Sequence, residues 1–144
     1  MTPFKSLYGL LLVGLLAVGC EKDKSVTPAE ESKPVTVKIN QSARVNQNVT
    51  LNVESINDSR CPANALCVWL GNATVKFSLK NDSEVQTGEL CLGQCGQQLK
   101  NRDAVTVQLG GVNYEVALSE VKPFPGTQPD GTPKEAVVTV NRKN

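Results

Sequence analysis

The chain of 144 residues contains no histidine, and that absence removes a large part of hydrolytic chemistry. Without an imidazole there is no ordinary base for a Ser or Cys triad. No Gly-x-Ser-x-Gly elbow and no Gly-x4-Gly-Lys-Ser/Thr phosphate loop occurs either. Adjacent carboxylates at Glu30 and Glu31 fall in a polar stretch punctuated by prolines, and the others are scattered along the chain. The expectation is a protein that is not an enzyme and carries no cofactor.

Net charge is the second thing missing. Lys5 is the one charged residue among residues 1–19, so without that segment 14 of the 15 basic residues face 14 acidic ones. A neutral chain with no basic stripe interleaved with aromatics lacks the field that non-specific nucleic-acid binding requires. The expectation is that nucleic acid is not a partner.

The third absence is a membrane-spanning run. Lys5 precedes an apolar stretch from Leu7 to Val18, shorter than the about 20 residues that a spanning helix needs. A positive flank followed by a short apolar run is the pattern of a secretory signal. Its end, Leu16-Ala17-Val18-Gly19-Cys20, resembles the bacterial lipobox. That resemblance implies cleavage after residue 19 and lipidation of Cys20, with attachment to the membrane through the lipid. Several acyl chains hold a protein on a bilayer stably where one does not, since each buried methylene contributes about 0.8 kcal/mol. Glu21 stands where enteric bacteria place an inner-membrane retention Asp, so the resemblance implies a bacterial cell-envelope location with the outer membrane favoured, and Glu-Lys-Asp-Lys faintly resembles the charged export signals of Bacteroidetes surface lipoproteins.

Residues 20–34 continue as a charged, proline-punctuated segment that cannot bury enough apolar surface to fold. Fully extended, the stretch from Glu21 to Pro34 reaches roughly 45 Å at about 3.3 Å per residue. The remaining residues 35–144 are one domain's worth of chain.

Within that domain apolar residues alternate with polar ones. Val35, Val37 and Ile39 share a face, as do Val49, Leu51 and Val53, then Ala73, Val75, Phe77 and Leu79, then Val105, Val107 and Leu109, then Val112, Tyr114, Val116 and Leu118. Period two argues half-buried strands. Gly110-Gly111 predicts a two-residue hairpin turn, because both central residues of such a turn need positive φ. A last strand is expected over residues 136–141, after a loop from Pro123 to Pro133 whose prolines and glycines forbid regular structure. About seven or eight short strands without a helix predict an antiparallel β-sandwich or small barrel.

The most unusual stretch is DSRCPANALCVWLGNA, Asp58 to Ala73, with two cysteines and the only tryptophan. Cys67, Trp69 and Gly71 share parity with Val75 and Phe77, which predicts an inner-face, core position for Trp69. Thirteen extended residues would run about 43 Å, too long for one strand, so a bulge or bend is expected at Gly71-Asn72, where parity could shift. Cys91 and Cys95 form a second pair, in CLGQC. In an exported protein four cysteines read as two disulfides. Three connectivities are open. The local one, Cys61 with Cys67 and Cys91 with Cys95, is favoured because a flexible turn lies between each pair. The spacings C-x5-C and C-x3-C, without histidine, speak against a metal site, and no C-x2-C redox motif is present.

SRCPANALCVWLGNATVKF at Ser59 to Phe77, with YEVALSEVKPFP at Tyr114 to Pro125, resembles an uncharacterised family of small bacterial lipoproteins that carry Ser-Arg-Cys-Pro, then Cys-x-Trp-x-Gly, then an aromatic strand ending in Pro-aromatic-Pro. Leu70 stands where the family often has Ala, and Cys91 with Cys95 is an addition to the pattern. The resemblance implies a lipoprotein β-domain and brings no activity. Candidate interaction residues are Arg60, which either faces solvent or braces the turn, Trp69, and Phe124 in the Pro123–Pro133 loop. Two functions fit: a lipid-anchored binding or structural module whose partner is an unknown protein or envelope ligand, and an inhibitor presenting the disulfide-braced loop 60–66 to a secreted hydrolase.

Overall fold

The computed structural model describes residues 32–143. Cys20, the apolar run before it and most of the tether lie outside the described residues. Nine strands follow one another: β1 (Val35–Lys38), β2 (Gln41–Arg44), β3 (Thr50–Asp58), β4 (Asn72–Lys80), β5 (Val85–Cys95), β6 (Gln98–Lys100), β7 (Asp103–Leu109), β8 (Val112–Lys122) and β9 (Glu135–Lys143). They form two antiparallel sheets, in the orders β1-β9-β8-β7 and β2-β3-β4-β5-β6, packed face to face as a β-sandwich.

Alternation builds the core. Leu51, Val53, Val75, Phe77, Leu79 and Leu90 from one sheet meet Val37, Val116, Leu118 and Val138 from the other, all essentially buried. At about 25 cal/mol per Å² of apolar surface removed from water, this contact is the main favourable contribution to folding.

Two bulges correct the parity where it would fail. Register shifts between Val53 and Ser55 in β3, and between Leu118 and Glu120 in β8. Each inserts one residue, so Ile56 and Val121 return to the inner side instead of pointing to water. Both bulges lie toward the same end of the sandwich. The expected hairpin at Gly110-Gly111 is present, with Leu109 opposite Val112 and φ of 59° and 74° at the two glycines.

Among the described residues the strand count is nine, where about seven or eight were expected from the alternation. β2 and β6 are four and three residues long, too short for a period to register. β5 is long but interrupted by Gly88, whose missing side chain makes room for the Phe77 ring: a Cβ there would sit 2.5 Å from the ring edge. A residue chosen for the space it leaves gives no periodic signal.

Candidate functional site

The two longest connections, residues 59–71 between β3 and β4 and residues 123–134 between β8 and β9, emerge at the same end of the sandwich. The β5–β6 hairpin reaches that end too, since Gln94 donates its backbone N–H to Gly71 O at 2.8 Å. Loops of this length in a compact domain are commonly functional.

The first loop starts as a continuation of the β3–β4 ladder. Ser59 N–H bonds Asn72 O at 2.7 Å and Cys61 N–H bonds Leu70 O at 2.8 Å. Above that stem the Cys61–Cys67 disulfide closes the loop, with Cα atoms 5.9 Å apart, and the Cys91–Cys95 disulfide closes the neighbouring hairpin at 6.1 Å. Of the three connectivities, the local one is therefore found. Ala63 N–H then bonds Pro125 O at 2.9 Å and ties the first loop to the second.

Glycines let these backbones meet. A Cβ at Gly71 would lie 2.0 Å from Ser59 O, one at Gly93 2.7 Å from Gly71 O, and one at Gly126 2.4 Å from Asn64 Oδ1. Gly71 also has φ +67°, which turns the chain out of the strand direction.

Beneath the loops lies a buried ionic cluster. The Asp58 carboxylate, 2% exposed, receives two hydrogen bonds from Arg60 (Nε to Oδ1 and an η nitrogen to Oδ2, both 2.7 Å) and one from Lys134 Nζ at 3.0 Å. Arg60, 11% exposed, also donates to Val121 O at 2.7 Å, and Lys134 donates to Pro123 O. The Phe124 ring covers the guanidinium, 4.4 Å from its centroid. Burial pushes the Asp58 carboxyl up, but hydrogen bonds and charge from Arg60 and Lys134 together outweigh it and hold the group below the usual carboxylate range. Asp103 does a similar task under the second staple. It accepts from Cys91 N–H at 2.9 Å and from Lys100 Nζ at 2.8 Å, and these bonds with the lysine charge outweigh burial, so its carboxyl too is lowered.

Above the ions the surface is apolar and uncharged. Leu66 and Val68 are 105% and 108% exposed, Trp69 is 77% exposed, and Leu70, Leu99 and Phe124 stand out as well. No Asp, Glu, Lys or Arg occurs in residues 61–72, 93–99 or 124–129. Exposed apolar side chains gathered on one rigid feature mark a contact surface far better than single ones scattered over a protein.

The core placement expected for Trp69 is overturned. β4 begins only at Asn72, and the positive φ of Gly71 ends the extended run. Parity therefore does not carry from Val75 back to Trp69. Arg60 takes the bracing role, its guanidinium spent on Asp58, Val121 and Phe124. The structure brings Arg60 and Phe124 together and sets Trp69 apart on the crest. Spacing gave no hint of Asp58 and Lys134, which are 76 positions apart and meet only because both strand ends emerge here.

All four cysteines of the described residues are consumed in disulfides, and no cluster of three or more His, Cys, Asp or Glu among those residues is placed to hold a metal. No family model, curated protein or solved structure matches the chain.

Proposed function

We propose that the protein is a lipid-anchored, non-catalytic binding module of the bacterial cell envelope, held at Cys20 and meeting its partner with the stapled crest at residues 66–70. The observation that carries this reading is the crest itself: four apolar side chains within the five residues 66–70, all exposed, on a loop closed by one disulfide and flanked by a second and by an ion cluster. A preordered loop loses little conformational entropy when it binds. Tryptophan is among the residues most enriched at binding hot spots.

Chain direction adds support. Ser32 N–H bonds Asn141 Oδ1 at 2.9 Å, near the end of β9 that lies opposite the crest, so the chain enters the domain at the far end. An anchor at Cys20 followed by a solvated tether would join the domain at the end opposite the crest and leave the crest free of the attachment point. Inhibition of a secreted hydrolase remains the second reading, favoured by the exposed, disulfide-closed loop. In it Leu66 would enter the enzyme cleft in place of the inward-turned Arg60.

Mass spectrometry of protein extracted from its native membrane without reduction tests the anchor. An acylated N-terminal Cys20 is expected; an unmodified chain retaining residues 1–19 would overturn it. Photo-crosslinking from position 66 in intact envelopes tests the crest. A discrete adduct is expected there and not from position 82 at the far end, and identical patterns from both positions would overturn the crest as the binding face.

A further inference from the structure

Beside the crest lies a cleft of about 300 Å3 lined by Ser59, Trp69, Gly71, Asn72, Gln94 and Gly96. Its composition is unusual for this small domain: one aromatic face, two carboxamides, one hydroxyl, two glycines and no ionisable group. We propose that this cleft is a saccharide subsite, which takes one ring of a neutral glycan against the face of Trp69. The proposal rests on the binding-module reading and names its ligand class.

The chemistry follows from the lining. The face of an indole carries the negative part of the ring quadrupole, and the axial C–H face of a pyranose is the apolar, weakly positive surface that suits it. Trp69 is 77% exposed and packs in no core, so its face is available without rearrangement. Hydroxyl and acetamido groups at the rim of a sugar require partners that both donate and accept, which the two carboxamides supply, while the Ser59 hydroxyl is engaged with the Asn72 backbone, donating to its O at 3.0 Å.

Gln94 is placed for that task. It holds the loop with its backbone alone, its N–H to Gly71 O at 2.8 Å and its C=O from Asn72 Nδ2 at 3.1 Å, which leaves its side-chain carboxamide for a ligand. Asn72 is oriented by the same bond, with Oδ1 left as an acceptor. Gly71 and Gly96 put no side chain into the cleft, and a Cβ on Gly96 would meet nothing within 4 Å, so a flat ring can lie close to the backbone. The size fits the lower end of small-molecule sites, one or two sugar rings. The lack of charge in the loops that form the cleft selects neutral glycans over anionic ones, and makes binding insensitive to salt.

The chain's single tryptophan supplies the readout. The full-length, 15N-labelled protein, extracted in a detergent without a sugar headgroup, is titrated with a tetramer of N-acetylglucosamine and separately with a tetramer of glucose while the one indole Nε1–H signal is followed. A saturable shift with at least one neutral oligomer is expected, with an affinity that changes less than about twofold between low and high salt. Trp69→Ala, followed by the backbone signals of Gln94 and Gly96, should abolish binding. Gln94→Ala should weaken it about fivefold to tenfold, the usual effect of one lost hydrogen bond. Val85→Ala should leave it unchanged, since Val85 is exposed at the far end of the sandwich and does not line the cleft.

No shift with either neutral oligomer, or a shift indifferent to Gln94→Ala, would overturn the saccharide subsite. If sugars fail while the envelope adduct from position 66 forms and a Leu66→Ser, Val68→Ser double variant loses envelope binding, the site is a protein-docking crest: the saccharide inference falls and the module reading stands. If both fail, both fall.

Discussion

The two ends of the sandwich are made by the same strands and solve opposite problems. At the far end the connections are short, residues 45–49, 81–84 and 110–111, and local hydrogen bonds complete them: Asn81 Oδ1 accepts from the N–H groups of Ser83 and Glu84, and Glu84 Oε2 accepts from Gly110 N–H at 2.7 Å. At the crest end two loops of thirteen and twelve residues must be held in place. Disulfides, a nearly solvent-free carboxylate and close backbone crossings at glycines do so. Rigidity at the first end comes from brevity, and at the second from added cross-links. On these long, cross-linked loops Leu66, Val68 and Trp69 stand in water, and that exposure is what the proposed binding role rests on.

That contrast can be broken at Asp58. Asp58→Asn leaves the largely buried Arg60 and the partly exposed Lys134 without their counter-charge, and loss of one member of such a cluster costs about 3 kcal/mol, the lower end for a buried pair. Urea denaturation of the variant against the parent measures it. The same carboxylate sets an acid limb. Its folded pKa lies below the ordinary value of about 4, so its contribution is complete above that pH and is lost as the pH falls through the lowered pKa. Stability of the parent should therefore decline below about pH 4 more steeply than that of Asp58→Asn.

A glycine at each end sharpens the comparison. Gly71 and Gly111 have similar positive φ, +67° and +74°, but a Cβ at Gly71 would strike Ser59 O while one at Gly111 would meet nothing within 4 Å. Gly71→Ala should cost more than about 3 kcal/mol, combining left-handed backbone with a backbone clash, and Gly111→Ala about 1 kcal/mol from conformation alone. Equal melting shifts for the two would deny that the crest loop is clamped.

Removing the first staple gives a smaller effect. Replacing Cys61 and Cys67 together by Ser should lower stability by about 2 kcal/mol, as the chain-entropy model gives for so short a loop. Its larger consequence is local: amide exchange at residues 63–69 should accelerate while the strands stay protected. Smallest of all is Trp69→Ala, whose effect on the melting transition should stay within about 0.5 kcal/mol because the side chain is not in the core. A larger loss would show that Trp69 packs.

How much of this was legible in the sequence follows from the range of the forces involved. Alternation in Leu51–Val53, Ala73–Leu79 and Val112–Leu118 is a local consequence of a half-buried pleat, and the strands lie where it falls. The Gly110-Gly111 turn and the two local disulfides are short-range too. The bend expected at Gly71-Asn72 is present, since one positive φ at Gly71 ends the strand, and the core position for Trp69 fails because it requires period two to continue across that bend. Arg60 could be seen to have two possible roles, but choosing between them requires Asp58, Val121, Phe124 and Lys134 together. Those residues are separated by up to 76 positions and are united only by the sheet topology. Likewise the Gln94 carboxamide beside Trp69 has no signature, since the hairpin that carries it meets the loop through backbone hydrogen bonds that any residue could make.

Time-resolved fluorescence of Trp69 tests the rigid, exposed crest most directly, because no other tryptophan contributes. In the oxidised protein the indole should be quenched by acrylamide nearly as readily as free tryptophan, while its anisotropy decays with the tumbling of the whole domain. A shielded, blue-shifted emission, or an anisotropy lost in fast local motion, would contradict the crest as a preordered binding face.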